Sequence, residues 1–101
     1  QLSYTLSKQA LAESVRSLAS AFGLRARVNG VAPGLVIPTE DYSDVQMGRL
    51  NAAMPLGQLP DPENVAEAVL YLARARDVTG QILYVDGGAH LKSYPRDFLH
   101  L

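Results

Sequence analysis

Tyr4 and Lys8 are the residues of this sequence whose types and spacing are best suited to chemistry. In an α-helix, side chains four residues apart lie on the same face, so the ammonium group at position 8 would lie close to the phenol at position 4. A nearby positive charge lowers the pKa of a phenol from its ordinary value of about 10, and such a phenol can give a proton to a carbonyl or imine. The spacing indicates Tyr4 as a candidate general acid with Lys8 as its electrostatic partner.

This pair also has a simple alternative explanation. The chain has five tyrosines, and a lysine four residues after one of them arises by chance with a probability of about 0.1. By itself the pair is therefore a weak signal, and its weight depends on the rest of the sequence.

Composition narrows the classes of function. The chain has 101 residues, a net charge of −1 and no cysteine. Near-neutral charge without a basic cluster argues against nucleic acid, and no apolar run is long enough for a membrane helix. The lack of cysteine fits a reducing compartment, so we expect a cytoplasmic protein. His90 and His100 have no acidic or histidine partner at ligand spacing, so we expect no metal site.

The apolar pattern predicts helix, strand, loop, helix and strand. Apolar residues at spacings of three and four predict a helix from Ser3 to Phe22, and a short β-branched segment predicts a buried strand over residues 27–33. Residues 35–60 contain three prolines and are expected to be a loop with one short helix over about residues 43–53.

A second helix and strand are predicted after this loop. Asp61, Pro62 and Glu63 form a helix start, in which Asp61 is the N-cap and Pro62 the first helical residue. The second strand covers residues 81–85. The apolar residues of this helix are predicted to be buried; they are Val65, Ala66, Val69, Leu70, Leu72 and Ala73.

These elements predict an α/β fold with parallel strands. We expect one continuous piece of one domain, with a cut end before Gln1. Two strands joined by one crossover would both be edge strands, so the chain is expected to need more sheet.

Four segments in this order resemble the short-chain dehydrogenase/reductase family. They are YTLSK at residues 4–8, RVNGVAPG at residues 27–34, VTGQ at residues 78–81 and VDGG at residues 85–88. The resemblance implies that residues 1–101 are the C-terminal portion of a doubly wound Rossmann-type domain. The glycine-rich cofactor loop and the catalytic serine and asparagine of the family would then lie upstream of Gln1.

The resemblance also implies roles for individual residues. Tyr4 would be the general acid, and Lys8 would bind the nicotinamide ribose. Pro33 and Gly34 would shape the turn beside the nicotinamide. The cofactor-binding set is therefore Tyr4, Lys8, Pro33, Gly34, Leu35 and Val36, and the substrate-binding set is Tyr4, Leu35, Tyr42 and Met47.

Within the family, the chain looks most like the pteridine reductase and dihydromonapterin reductase branch. That likeness implies reduction of a dihydropterin to a tetrahydropterin with NADPH, the substrate lying against the loop of residues 35–60. The alternatives are a 3-oxoacyl-carrier-protein or general carbonyl reductase, and a non-catalytic oligomerisation fragment. The family's interfaces imply a homotetramer, formed together with an N-terminal half of the same protein.

Overall fold

The computed structural model describes residues 2–34 and 43–91, and for residues 2–5 and 7 it describes the backbone alone. Its helices are α1 (Leu2–Phe22), α2 (Asp44–Ala53) and α3 (Pro62–Arg74). Its strands are β1 (Gly30–Ala32) and β2 (Ile82–Tyr84). Short 3₁₀ helices follow α1 and β2, at Gly23–Arg25 and Ala89–Leu91. The predicted order of elements is confirmed.

The two strands pair side by side in one sheet. The amide of Gly30 donates to the carbonyl of Gln81 at 2.8 Å, and the amide of Val85 donates to the carbonyl of Ala32 at 3.0 Å. Both strands advance in the same direction between these two bonds, so the pairing is parallel. The predicted α/β fold with parallel strands is confirmed.

β1 is shorter than predicted, because side chains make many of the hydrogen bonds of the residues before it, although the Val28 carbonyl still accepts from the Gly80 amide at 2.8 Å. The amide of Val28 donates to the Thr79 hydroxyl at 3.1 Å, and the Arg27 and Asn29 side chains bond to carbonyl groups. The predicted strand over residues 27–33 is therefore wrong at residues 27–29 and at residue 33. The strand itself is half-buried, where the sequence predicts a buried one.

The chain forms two compact units. The first consists of Gln1–Val31 with Glu67–Leu83, and the second of Ala32–Ala66 with Tyr84–Leu101. The prediction of a single domain stays a prediction.

In the first unit, the helices expose most of their apolar faces. Ala19 and Leu72 are buried, whereas Val69 and Leu70 are 51% and 50% exposed. The predicted burial of the α3 face is therefore wrong for most of its members. Among the described side chains of α1, the large apolar residues that are also exposed are Leu6, Leu11, Leu18 and Phe22. Within the described residues, two three-residue strands offer less surface than two amphipathic helices require.

In the second unit, α2 begins with a capping box. The Ser43 hydroxyl accepts from the Gln46 amide, and the Gln46 side chain accepts from the Ser43 amide. The core of this unit includes Leu50 and Met54, which are 2% and 3% exposed. α3 begins as predicted, because the Asp61 carboxylate accepts from the Glu63 amide at 2.9 Å.

Candidate functional site

α1 places the candidate catalytic pair one helical turn apart. Tyr4 and Lys8 both lie within this helix, and the Lys8 side chain is exposed. The side chain of Tyr4 lies outside the described residues. The helical spacing that the pair requires is therefore present, and the roles assigned to the two side chains stay predictions.

The candidate cofactor turn follows the carboxyl end of β1. Pro33 and Gly34 are both exposed, and Gly34 has a φ of 68°, in the left-handed region that favours glycine. In open parallel sheets, ligands bind beyond the carboxyl ends of the strands, and the turn lies at that end of β1. The contact of Pro33 and Gly34 with a cofactor stays a prediction. Three further predicted residues, Leu35, Val36 and Tyr42, lie outside the described residues.

Gly34 also allows a close approach within the second unit. A Cβ atom at this position would lie 2.7 Å from the Cβ of Asp86, a distance that real Cβ atoms almost never show. The family resemblance implies that the backbone approaches the cofactor closely at this position, which favours glycine. The structure adds a second reason, which is the packing of Asp86 against the turn.

The two methionines of the predicted substrate loop differ in burial. Met47 lies on α2 and is half-buried, so its predicted contact with substrate stays a prediction. Met54 follows α2 and is almost completely buried. Met54 therefore belongs to the packed interior of the second unit.

Asp86 and His90 form a pair that the sequence analysis missed. The His90 Nδ1 lies 3.1 and 3.0 Å from the two carboxylate oxygens of Asp86. The expectation that His90 has no acidic partner is therefore wrong. Their spacing of four residues was the available signal, and it becomes a contact because a 3₁₀ helix follows β2. The His90 ring also stacks on Tyr84, with ring centroids 4.1 Å apart.

Arg27 and Asn29 join elements of the first unit. The Arg27 guanidinium donates to the carbonyls of Leu72, Ala73 and Ala75 at 2.7 to 2.9 Å, at the carboxyl end of α3. The Asn29 side chain donates to the Val78 carbonyl and accepts from the Gln81 amide. These partners lie more than 40 positions away in sequence, so no local signal indicated them.

A shallow cavity of about 350 Å³ lies beside these two side chains. It is lined by Arg27, Asn29, Val31, Val69, Leu72 and Ala73. The polar groups of Arg27 and Asn29 already form hydrogen bonds with backbone groups of the same unit. The cavity is therefore best described as an apolar gap between β1 and α3.

Two classes of site find no support in the described part of the chain. Over residues 2–34 and 43–91, no helix combines the length and apolar character needed to cross a membrane. Within the same ranges, no group of three metal-ligating side chains converges.

Comparison with known proteins gives consistent results. Residues 1–90 match a family model described as enoyl-(acyl carrier protein) reductase. Carbonyl reductase family member 4 of Xenopus laevis is 44% identical over 89 residues, which cover 87% of this chain and 37% of that protein. The 3-oxoacyl-[acyl-carrier-protein] reductase of Bos taurus is 39% identical, with the same coverage.

A solved structure is similar in both sequence and fold. The FolM alternative dihydrofolate reductase 1 from Brucella canis, complexed with NADP, is 39% identical and superposes with a TM-score of 0.74. The match covers 93% of this chain and 36% of that one. The chain thus spans little more than a third of the length of the proteins it matches.

The fold and the matched segments define a Rossmann-type α/β protein, which confirms the predicted fold class. The chain belongs to the short-chain dehydrogenase/reductase family.

Proposed function

We propose that this chain acts as the C-terminal portion of an NADPH-dependent short-chain reductase that converts a dihydropterin to a tetrahydropterin. The observation that supports it most is the similarity to FolM alternative dihydrofolate reductase 1, whose structure contains NADP. That similarity extends over 93% of this chain. The match to the family model covers residues 1–90, which include Tyr4 and Lys8.

The site residues of this chain would have two roles, proton transfer to the substrate and binding of the cofactor. The Tyr4 hydroxyl donates a proton to the substrate, and the Lys8 ammonium stabilises the phenolate that remains. Lys8 also binds the ribose hydroxyls, for which an exposed ammonium is suited. The backbone of Leu35 or Val36 would bind the carboxamide, and bound NADPH would supply the hydride.

Substrate positioning is proposed for the loop of residues 35–60. Leu35, Tyr42 and Met47 would contact the pterin, which is flat and carries several hydrogen-bond donors and acceptors. An aromatic side chain such as Tyr42 would stack on the pterin ring. The half-buried Met47 supplies an apolar side chain on α2.

A 3-oxoacyl or general carbonyl reductase is the second candidate. The relatives from Xenopus laevis and Bos taurus support it, since their names state these activities. The third candidate is a non-catalytic oligomerisation fragment. The presence of Tyr4 and Lys8 discriminates against this third candidate, because a non-catalytic interaction module has no need of the pair.

The first experiment is to measure the denatured mass of every polypeptide in the purified intact protein, followed by NADPH oxidation. A dihydropterin and a 3-oxoacyl thioester are compared at equal concentrations, with NADH as the control for cofactor choice. A kcat/KM at least about tenfold higher for the dihydropterin supports the proposal. A preference for the thioester supports the second candidate. A single species of 10.9 kDa without NADPH binding supports the third.

A further inference from the structure

The Asp86 turn, defined as residues 86–88, is fixed by one buried carboxylate. Asp86 is 5% exposed. Its carboxylate accepts from the Gly88 amide at 2.9 Å and from the His90 amide at 3.0 Å. The same two oxygens lie 3.0 and 3.1 Å from the His90 Nδ1. Because a buried carboxylate needs all of these partners, the conformation of the turn depends on them.

One side of the Asp86 turn packs against the candidate cofactor turn. Asp86 occupies the space that a Cβ atom at Gly34 would fill, at 2.7 Å from Cβ to Cβ. The backbone at Gly34 therefore has little room to move toward Asp86.

The other side of the Asp86 turn packs against the segment that follows α2. A Cβ atom at Gly87 would lie 2.6 Å from the carbonyl oxygen of Gln58. The Leu56 amide donates to the Gly87 carbonyl at 3.0 Å. Residues 54–59, which end the predicted substrate loop, are thus bonded directly to the turn.

Of the two residues Asp86 and His90, His90 is the more exposed and can be substituted with less disturbance to the buried interior. Its side chain is 36% exposed, whereas that of Asp86 is 6% exposed. The stacking of its ring on Tyr84, at an interplanar angle of 16°, holds the ring in the orientation that directs Nδ1 at the carboxylate. The contact can therefore be removed by substitution at His90 while the buried carboxylate is kept.

We propose that the Asp86 and His90 pair positions two parts of the active site together, namely the cofactor turn at residues 33–34 and the end of the substrate loop at residues 54–59. Both residues are positioning residues, because they act through the Asp86 turn and not on the substrate. The inference rests on the proposed function, since it takes these two segments as binding segments.

The test compares His90→Phe with His90→Asn in the purified intact protein. Phenylalanine keeps an aromatic ring against Tyr84 and removes the nitrogen, whereas the asparagine amide can occupy the place of Nδ1. For His90→Phe we expect faster hydrogen exchange of the Leu56 amide and an NADPH Kd about tenfold higher. The kcat at saturating NADPH should stay within about twofold of wild type, because Tyr4 and Lys8 are unchanged. His90→Asn should restore both the exchange rate and the Kd.

Several results would overturn the inference. They are an unchanged Leu56 exchange rate in His90→Phe, faster exchange with an unchanged Kd, or an equal loss in His90→Asn. If the wild-type protein fails to bind NADPH, the proposed function is wrong. The exchange rates of the two variants then still decide whether the pair holds residues 54–59.

Discussion

Different kinds of interaction stabilise the interior of each of the two units. In the first unit, Arg27 and Asn29 join strand, turn and helix by hydrogen bonds, while the apolar faces of α1 and α3 remain largely exposed. In the second unit, Leu50 and Met54 are almost completely buried, and the Asp86 carboxylate holds the turn after β2. The first unit therefore depends mainly on polar contacts between distant residues, whereas the second combines packing with a buried, hydrogen-bonded carboxylate.

This difference corresponds to a division of the proposed reaction. Tyr4 and Lys8 lie in the first unit, whereas Gly34, Met47 and Asp86 lie in the second. Proton transfer and binding of the ribose by Lys8 would then depend on the first unit, and the cofactor turn and the substrate loop on the second. Substitutions in the two units should have different kinetic signatures, which gives the comparison a direct test.

The largest effect is expected for Tyr4→Phe. Removal of the hydroxyl removes the proposed proton donor, and general acid catalysis contributes about 10²-fold to 10⁴-fold. We expect kcat to fall by at least about 100-fold, while the NADPH Kd stays near the wild-type value. Steady-state kinetics and cofactor titration of the intact protein measure the two quantities.

Tyr71→Phe is the matched control for Tyr4→Phe. Tyr71 lies on α3 and is 57% exposed, so loss of its hydroxyl should leave kcat unchanged. Turnover of Tyr4→Phe equal to that of this control would show that the first unit does not supply the proton.

Leu50→Ala should have the next largest effect, on stability. Leu50 is 2% exposed, and truncation of such a side chain leaves a cavity that costs about 3 to 4 kcal/mol. Leu72→Ala in the first unit should cost less, about 2 kcal/mol, because the neighbouring side chains are half-exposed and can move into the gap. Urea denaturation of both variants gives the free energies of unfolding. Equal losses would contradict the contrast between the units.

Local features of the fold were predictable from sequence. The start of α3 followed from Asp61 and Pro62, since an N-cap acts within one turn of helix. α1 followed from apolar residues at spacings of three and four, and α2 lies where one short helix was expected within the proline-containing loop of residues 35–60. The helical turn between Tyr4 and Lys8 was predictable for the same reason, because it depends only on local geometry.

Contacts between distant residues were not predictable. The bonds of Arg27 to the end of α3 join residues about 45 positions apart, and no pattern in the sequence pairs them. Burial of the α3 face was predicted wrongly, because periodicity shows which face is apolar but not how much surface covers it. The contact between Asp86 and His90 could have been predicted, since a spacing of four residues suits a helical turn. It was missed because no helix was expected after β2.

Arg27→Met should have a moderate effect, confined to the first unit. The substitution removes three hydrogen bonds to carbonyl groups at the carboxyl end of α3. Since two of these bonds are exposed to solvent, water replaces the guanidinium in part, and we expect a loss of about 1 to 2 kcal/mol in the free energy of unfolding. Urea denaturation measures this loss.

Arg27→Lys is the control for charge. It keeps the positive charge near the helix end and loses the planar arrangement of donors, so it should recover less than half of the lost stability. Full recovery would show that charge, rather than hydrogen bonding to the three carbonyls, joins the strand to the helix.

The smallest effect is expected at the other end of the same helix. Asp61→Ala removes the acceptor for the Glu63 amide, and loss of an N-cap costs about 1 kcal/mol. Asp61→Asn keeps an acceptor oxygen and should lose only a fraction of that amount. Because Asp61 and Arg27 contact opposite ends of α3, the double variant Asp61→Ala with Arg27→Met tests whether the two ends of this helix contribute independently to stability. The two losses should add if they do, whereas a combined loss well above the sum would show that the two helix ends are coupled.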